Sequence, residues 1–162
     1  MIINQEYLDK MSNIAIEILK QLSSTIDPIA RRGVLTLLLT LCRNMEDVAP
    51  RNASRSAQQR ADSLSLGDLR KYHFDDGGRF PGGRKNSHLH WEHWKPAADL
   101  RRELLGLSNP TPQSVRQILE KSRVCWILLE ENDTLSRLGH KINRKDPEKC
   151  YQEANIDLAY DW

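Results

Sequence analysis

The chain has 162 residues, 39% of them hydrophobic and 28% charged, and a formal net charge of +2. That length supports a core without disulfide or metal staples, and the charge content suits a large wetted surface. The longest apolar run, residues 34–42, is about half the ~20 residues a membrane helix needs, which excludes a span of that kind.

Residues 5–22 predict a helix, because Leu8, Met11, Ile14, Ala15, Ile18, Leu19 and Leu22 recur at spacings of three and four. Asp27 and Pro28 suit the cap and first turn of a second helix, running to about Met45. Between 34 and 42 that helix is apolar nearly all round, which predicts the buried centre of the fold. Residues 46–63 lose periodicity and read as a connector. Residues 65–72 predict a short helix capped by Ser65. Residues 75–85 hold four glycines and a proline, and predict a loop. That loop is not a Walker-type phosphate loop, since no Gly-Lys-Ser/Thr ending follows.

The second half alternates strand and helix signals. Residues 87–94 predict a strand, and Pro96 opens a helix lined by Leu100, Leu104 and Leu107. Thr111 caps and Pro112 begins another, with Val115, Ile118 and Leu119 inward. Residues 123–130, "RVCWILLE", predict a strand buried on both faces. A short helix follows with acids at its start and Gly139 at its end. Asp146 and Pro147 begin the last helix. The fold class expected is α+β, mostly α, with an N-terminal helical region packed on a small two-stranded element. The organisation expected is one domain over 1–162: a helical region 1–72, a glycine-rich loop 73–86, an element 87–145 with a helical insertion, and a helix and tail 146–162.

Cys42, Cys125 and Cys150 form no CxxC pair, so free thiols are expected and a zinc knuckle is not. The first residues, "MIINQEYLDK", carry acids where a basic leader would stand. A reducing, cytoplasmic setting is expected.

"NSHLHWEHWKP", residues 86–96, concentrates three of the five histidines beside Glu92 and two tryptophans. In an extended strand His88, His90 and Glu92 share one face, and Leu89, Trp91 and His93 the other. A strand ending before Pro96 would let Glu92 and His93 reach one pocket. Trp91, Trp94 and Trp126 are expected in or beside the core, and Cys125 is expected to be inert.

The order Glu92-His93-x-x-Pro96, followed by the strand at 123–130 and a helix carrying Asn132 and His140, resembles the HNH, or ββα-metal, nucleases over roughly residues 86–145. It also resembles small uncharacterised proteins with an "EHxxP … WIxxEEnxxL … G" layout. The chain departs from the family in having Glu before the base, no stabilising Cys pairs, and a long insertion at 97–122. The resemblance implies His93 as general base, Asn132 as its orienting partner, and Glu92 and His140 as ligands of a divalent ion, Mg2+, Mn2+ or Zn2+. It further implies that Arg84, Lys85, Arg137, Lys141 and Arg144 contact nucleic acid, DNA ahead of RNA. The rival reading is a non-catalytic phage or defence-system adaptor or inhibitor that binds a protein partner or a second copy of itself. A third is a DNA-binding protein without catalysis.

Overall fold

The computed structural model describes residues 4–162, without the side chains of residues 84 and 85. In chain order the elements are α1 (Gln5–Ser24), α2 (Pro28–Asn44), β1 (Arg51–Ala53), α3 (Arg55–Ser63), α4 (Gly83–Ser87), β2 (Leu89–His93), α5 (Ala97–Leu105), α6 (Pro112–Leu119), β3 (Val124–Leu128), α7 (Leu129–Arg137) and α8 (Pro147–Glu153). Short 3-10 turns occur at Met45–Asp47, Leu69–Lys71 and Phe74–Arg79. The fold class is α+β and mostly α. Two compact units form among the described residues: a helical unit of residues 4–49 with 95–122, and a sheet unit of 50–94 with 123–162.

In the helical unit, α1 packs on α2 and α6, and α5 on α2 and α6. The insertion 97–122 therefore completes the N-terminal helices; its apolar positions are the ones that bury theirs. The core holds Leu8, Leu38, Leu41, Met45, Leu104 and Leu119. Asp27 caps α2 as expected, accepting the Ala30 amide at 2.7 Å, and Thr111 caps α6. The expectation for α2 itself is corrected. Only Leu38, Leu41 and Cys42 of that helix are buried. Leu37 is 59% exposed and Ile29 83% exposed, because the neighbouring helices cover one side of α2 and leave the other to solvent.

The sheet unit is built on β3, whose residues 124–127 are fully buried. Antiparallel β2 flanks it with Trp91 opposite Trp126 and His93 opposite Val124. A third strand joins: β1 pairs in parallel with the other edge of β3, Arg51 opposite Val124. The predicted connector 46–63 thus contains both a strand and α3. β1 is three residues long, too short for a period to show. The inward positions of α3 are Ala57 and Ala61, whose small side chains carry almost no hydropathy signal. Asp68, not Ser65, caps the turn at Leu69–Lys71; Ser65 has φ 59°, outside the extended range a cap residue adopts. The glycine-rich stretch is partly helical turn rather than open loop. Gly82 (φ 77°) sits so close to Asn86 that an added Cβ would lie 2.7 Å from its Cβ, so only glycine fits there.

Candidate functional site

Strand alternation divides the sheet unit into two layers. Val124, Trp126 and Leu128 of β3 share a face with His93, Trp91 and Leu89 of β2, the residues opposite them in that order. An aromatic cluster covers this side: Trp91 packs edge-on to Trp126 at 4.9 Å, and Phe80 meets both Trp126 and Tyr72. Cys125 and Ile127 face the other way, toward Leu135 of α7 and Tyr151 of α8, and Glu92 and His90 lie opposite them in register. Trp91 and Trp126 are core residues as expected. Trp94 is half-buried between Tyr151 and Trp162.

β2 stays regular to its end, and the Trp94 amide still donates to the Arg123 carbonyl at 3.0 Å. Glu92 and His93 consequently point to opposite faces. The expected shared pocket does not form, because the strand does not bend before Pro96. His88 lies before the strand, at φ 61°, and its ring is 3.2 Å from Glu130.

The segment that meets Glu92 is the turn after α7, and what arrives is a guanidinium. Arg144 is 1% exposed. Its Nη2 donates to Glu92 Oε1 at 2.7 Å, its Nη1 to the carbonyls of His93 (2.9 Å) and Trp94 (3.0 Å), and its Nε to the carbonyl of His140 (2.8 Å). The Tyr151 ring lies under the same guanidinium, 5.8 Å from centroid to Cζ. His90 Nε2 stands 3.4 Å from the second Glu92 oxygen. Burial pushes the Glu92 carboxyl up, but His90 and Arg144 more than offset it and hold it below the usual carboxylate range. The expected second ligand is engaged elsewhere: His140 Nε2 lies 2.7 Å from Glu153 Oε2, tying the end of α7 to α8.

These donors do not fit a divalent ion. A cation at Glu92 would meet a fixed positive charge within hydrogen-bond distance of the same carboxylate, and His140 has a carboxylate of its own. Among the described residues, no three His, Cys, Asp or Glu side chains converge as metal ligands. In this structure Glu92 bonds to Arg144 and His140 to Glu153, so the two expected ligands are engaged in separate contacts, Glu92 joining β2 to the turn after α7 and His140 joining the end of α7 to α8.

Asn132 lies half-buried in α7. The residue that closes the start of that helix is its neighbour Glu131, which accepts the Leu128 amide at 2.7 Å and the Ser54 hydroxyl at 2.6 Å. Ser54 also caps α3 through the Ala57 amide at 3.0 Å. One carboxylate thus joins α7, β3 and α3, a link that no local spacing announces. Arg137 and Lys141 are exposed, as a phosphate contact requires. Arg144 is not: buried and fully bonded, it cannot reach a nucleic acid, and this expectation is also corrected. The side chains of Arg84 and Lys85 lie outside the described residues. Over 50–94 and 123–162 there are fourteen Lys and Arg against thirteen Asp and Glu, so the sheet unit has no strong net attraction for a polyanion.

Cys42, Cys125 and Cys150 are free and buried. No helix of the described residues is long and apolar enough to cross a membrane. No family model, no curated protein and no solved structure matches this chain.

Proposed function

We propose that this protein works by binding another polypeptide rather than by catalysis. The sheet unit has the β–β–α order of the HNH resemblance in β2, β3 and α7, with an internal ion pair in place of a metal centre. The observation that carries this reading is the state of Glu92: bonded to buried Arg144, on the sheet face away from His93. A general base and a metal ligand act on one phosphate, whereas Glu92 and His93 lie on opposite faces of β2, which favours the binding reading. Support from the other unit is the exposure of the large apolar side chains Ile29 and Leu37 on α2, since exposed apolar surface can mark a protein contact.

The β2–β3–α7 order favours one alternative: HNH-type hydrolysis of DNA or RNA, with His93 as general base. The same experiment addresses both. Purified protein is assayed for bound metal, and wild type and His93→Ala are incubated with supercoiled plasmid and with single-stranded RNA in Mg2+, Mn2+ or Zn2+. The binding reading expects no retained metal and no nicking. Divalent-ion-dependent cleavage that disappears in His93→Ala would overturn it and establish the nuclease.

A further inference from the structure

We infer that the outer edge of β1 is a docking site for an extended segment of a partner polypeptide, one carrying an aromatic side chain flanked by acids, and that residues 157–160 of the chain itself hold the site in this structure. This rests on the reading that the protein binds a polypeptide, and adds where it binds and what it recognises. One edge of β1 is taken by β3. Along the other, the Ala159 amide donates to the Ala53 carbonyl at 2.8 Å and the Arg55 amide to the Asp157 carbonyl at 2.8 Å. Ser54 and Leu158 form an antiparallel bridge between them. Asn52, fully buried, donates its side-chain amide to the Tyr160 carbonyl at 2.8 Å. Each of these groups on the seated segment belongs to its main chain. The edge therefore grips a backbone, as in strand addition, where main-chain bonds supply affinity and side-chain contacts supply specificity.

The seated segment shows which chemistry the edge accepts. The Tyr160 ring lies under the Arg70 guanidinium, 3.6 Å from centroid to Cζ. Asp68 already bonds Arg70 at 2.9 Å, so the ring face rather than a carboxylate is what Arg70 selects. Charge enters along the strand: residues 51–55 hold two arginines and no acid, and residues 157–161 two aspartates and no base. The segment is also loosely tied. Ile156 is its last buried side chain, at 4% exposure. Beyond it Leu158, Ala159 and Tyr160 are half-buried, and Asp157, Asp161 and Trp162 are exposed. The Ile156 amide donates to the Tyr151 carbonyl at 2.9 Å, which closes α8 before the segment begins. Residues 157–162 can therefore lift from β1 without unwinding α8, whereas β3, buried at residues 124–127, opens only with the unit. Segments with few buried apolar contacts open at free energies well below that of global unfolding. An internal occupant of this kind is a competitor that a partner of the same chemistry displaces.

Two measurements on the full chain test this. Hydrogen–deuterium exchange read by mass spectrometry should show residues 157–162 exchanging roughly 100-fold faster than β3. A fluorescein-labelled peptide with the sequence of residues 155–162, NIDLAYDW, should bind the protein in a fluorescence anisotropy titration, and the same peptide with alanine in place of its tyrosine should bind more weakly. Ala159→Pro removes the donor to Ala53 from the internal segment, and Tyr160→Ala removes its contact with Arg70. Each variant should keep the circular dichroism spectrum and bind the peptide about tenfold tighter than wild type, because the internal competitor is weakened. Protection of 157–162 equal to that of β3 overturns the inference. So does a peptide that neither variant binds more tightly than wild type does. A strand-exchanged dimer in sedimentation, in place of peptide binding, makes the occupant a second copy and overturns the partner assignment. The metal and nicking assays do not involve this edge, so they decide the broader reading independently.

Discussion

Replacing Arg144 with methionine is the most direct perturbation of the sheet unit. The substitution keeps an unbranched apolar stem, shorter than that of arginine, and removes the hydrogen bonds to Glu92 and to the carbonyls of His93, Trp94 and His140. The largest consequence is electrostatic. Glu92 is 15% exposed at its side chain and would lose the guanidinium that, with His90, offsets the cost of burying its charge. Removing one member of a buried ion pair costs about 3–5 kcal/mol. Whole domains have a stability of roughly 5–15 kcal/mol, so most of the unit's margin is at stake. With a urea m-value of about 1–3 kcal/mol/M, the midpoint should fall by roughly 1–5 M. All four tryptophans lie in the sheet unit, so their fluorescence during urea unfolding reports on it directly. Glu92→Gln in the Arg144→Met background removes the stranded charge and should recover about half of the loss, a coupling of roughly 2 kcal/mol. Arg144→Lys should fall between wild type and Arg144→Met, since an ammonium keeps the charge but cannot span four acceptors. An Arg144→Met protein within ~1 kcal/mol of wild type, or a double variant showing no coupling, would refute the buried ion pair as the centre of this unit.

Glu92 also sets an acid limb. Its folded pKa is depressed, so its stabilisation is present above the unfolded carboxylate value of about 4.3 and disappears as pH falls through the folded value. Tryptophan-monitored stability should decline below pH ~4 in wild type and decline less steeply in Glu92→Gln; equal slopes would contradict the assignment. Ser54→Ala removes both the α3 cap and the 2.6 Å bond to Glu131, with an expected cost of about 1.5–3 kcal/mol in urea unfolding. Burial pushes the Cys42 thiol up to about 12 and raises Cys125 and Cys150 as well. A disulfide reagent at mildly alkaline pH should therefore label none of the three in the native protein and all three in urea.

Much of this molecule follows from local rules. Asp27 before Pro28, Thr111 before Pro112 and Asp146 before Pro147 mark helix starts, because an acceptor side chain and a fixed φ act within one turn. The α1 stripe and the unbroken apolar run of β3 announce their own burial. The alternation that puts Glu92 and His93 on opposite faces is also implied once β2 is extended, whereas the register that sets Trp91 against Trp126 comes from the pairing with β3. Tertiary structure decided the rest. β1 is a strand only because the edge of β3 needs a hydrogen-bonding partner. Leu37 and Ile29 belong to an apolar run, but exposure depends on which neighbours arrive, and the insertion 97–122 brought helices to one side of α2 alone. Arg144 is the sharpest case. In "RLGHKINRK" it is one cation among four and reads as solvated. Only the closure of the α7–α8 turn onto β2 takes it out of water and puts it against Glu92, because the energy of a charge is set by what surrounds it and those surroundings come from 52 residues away.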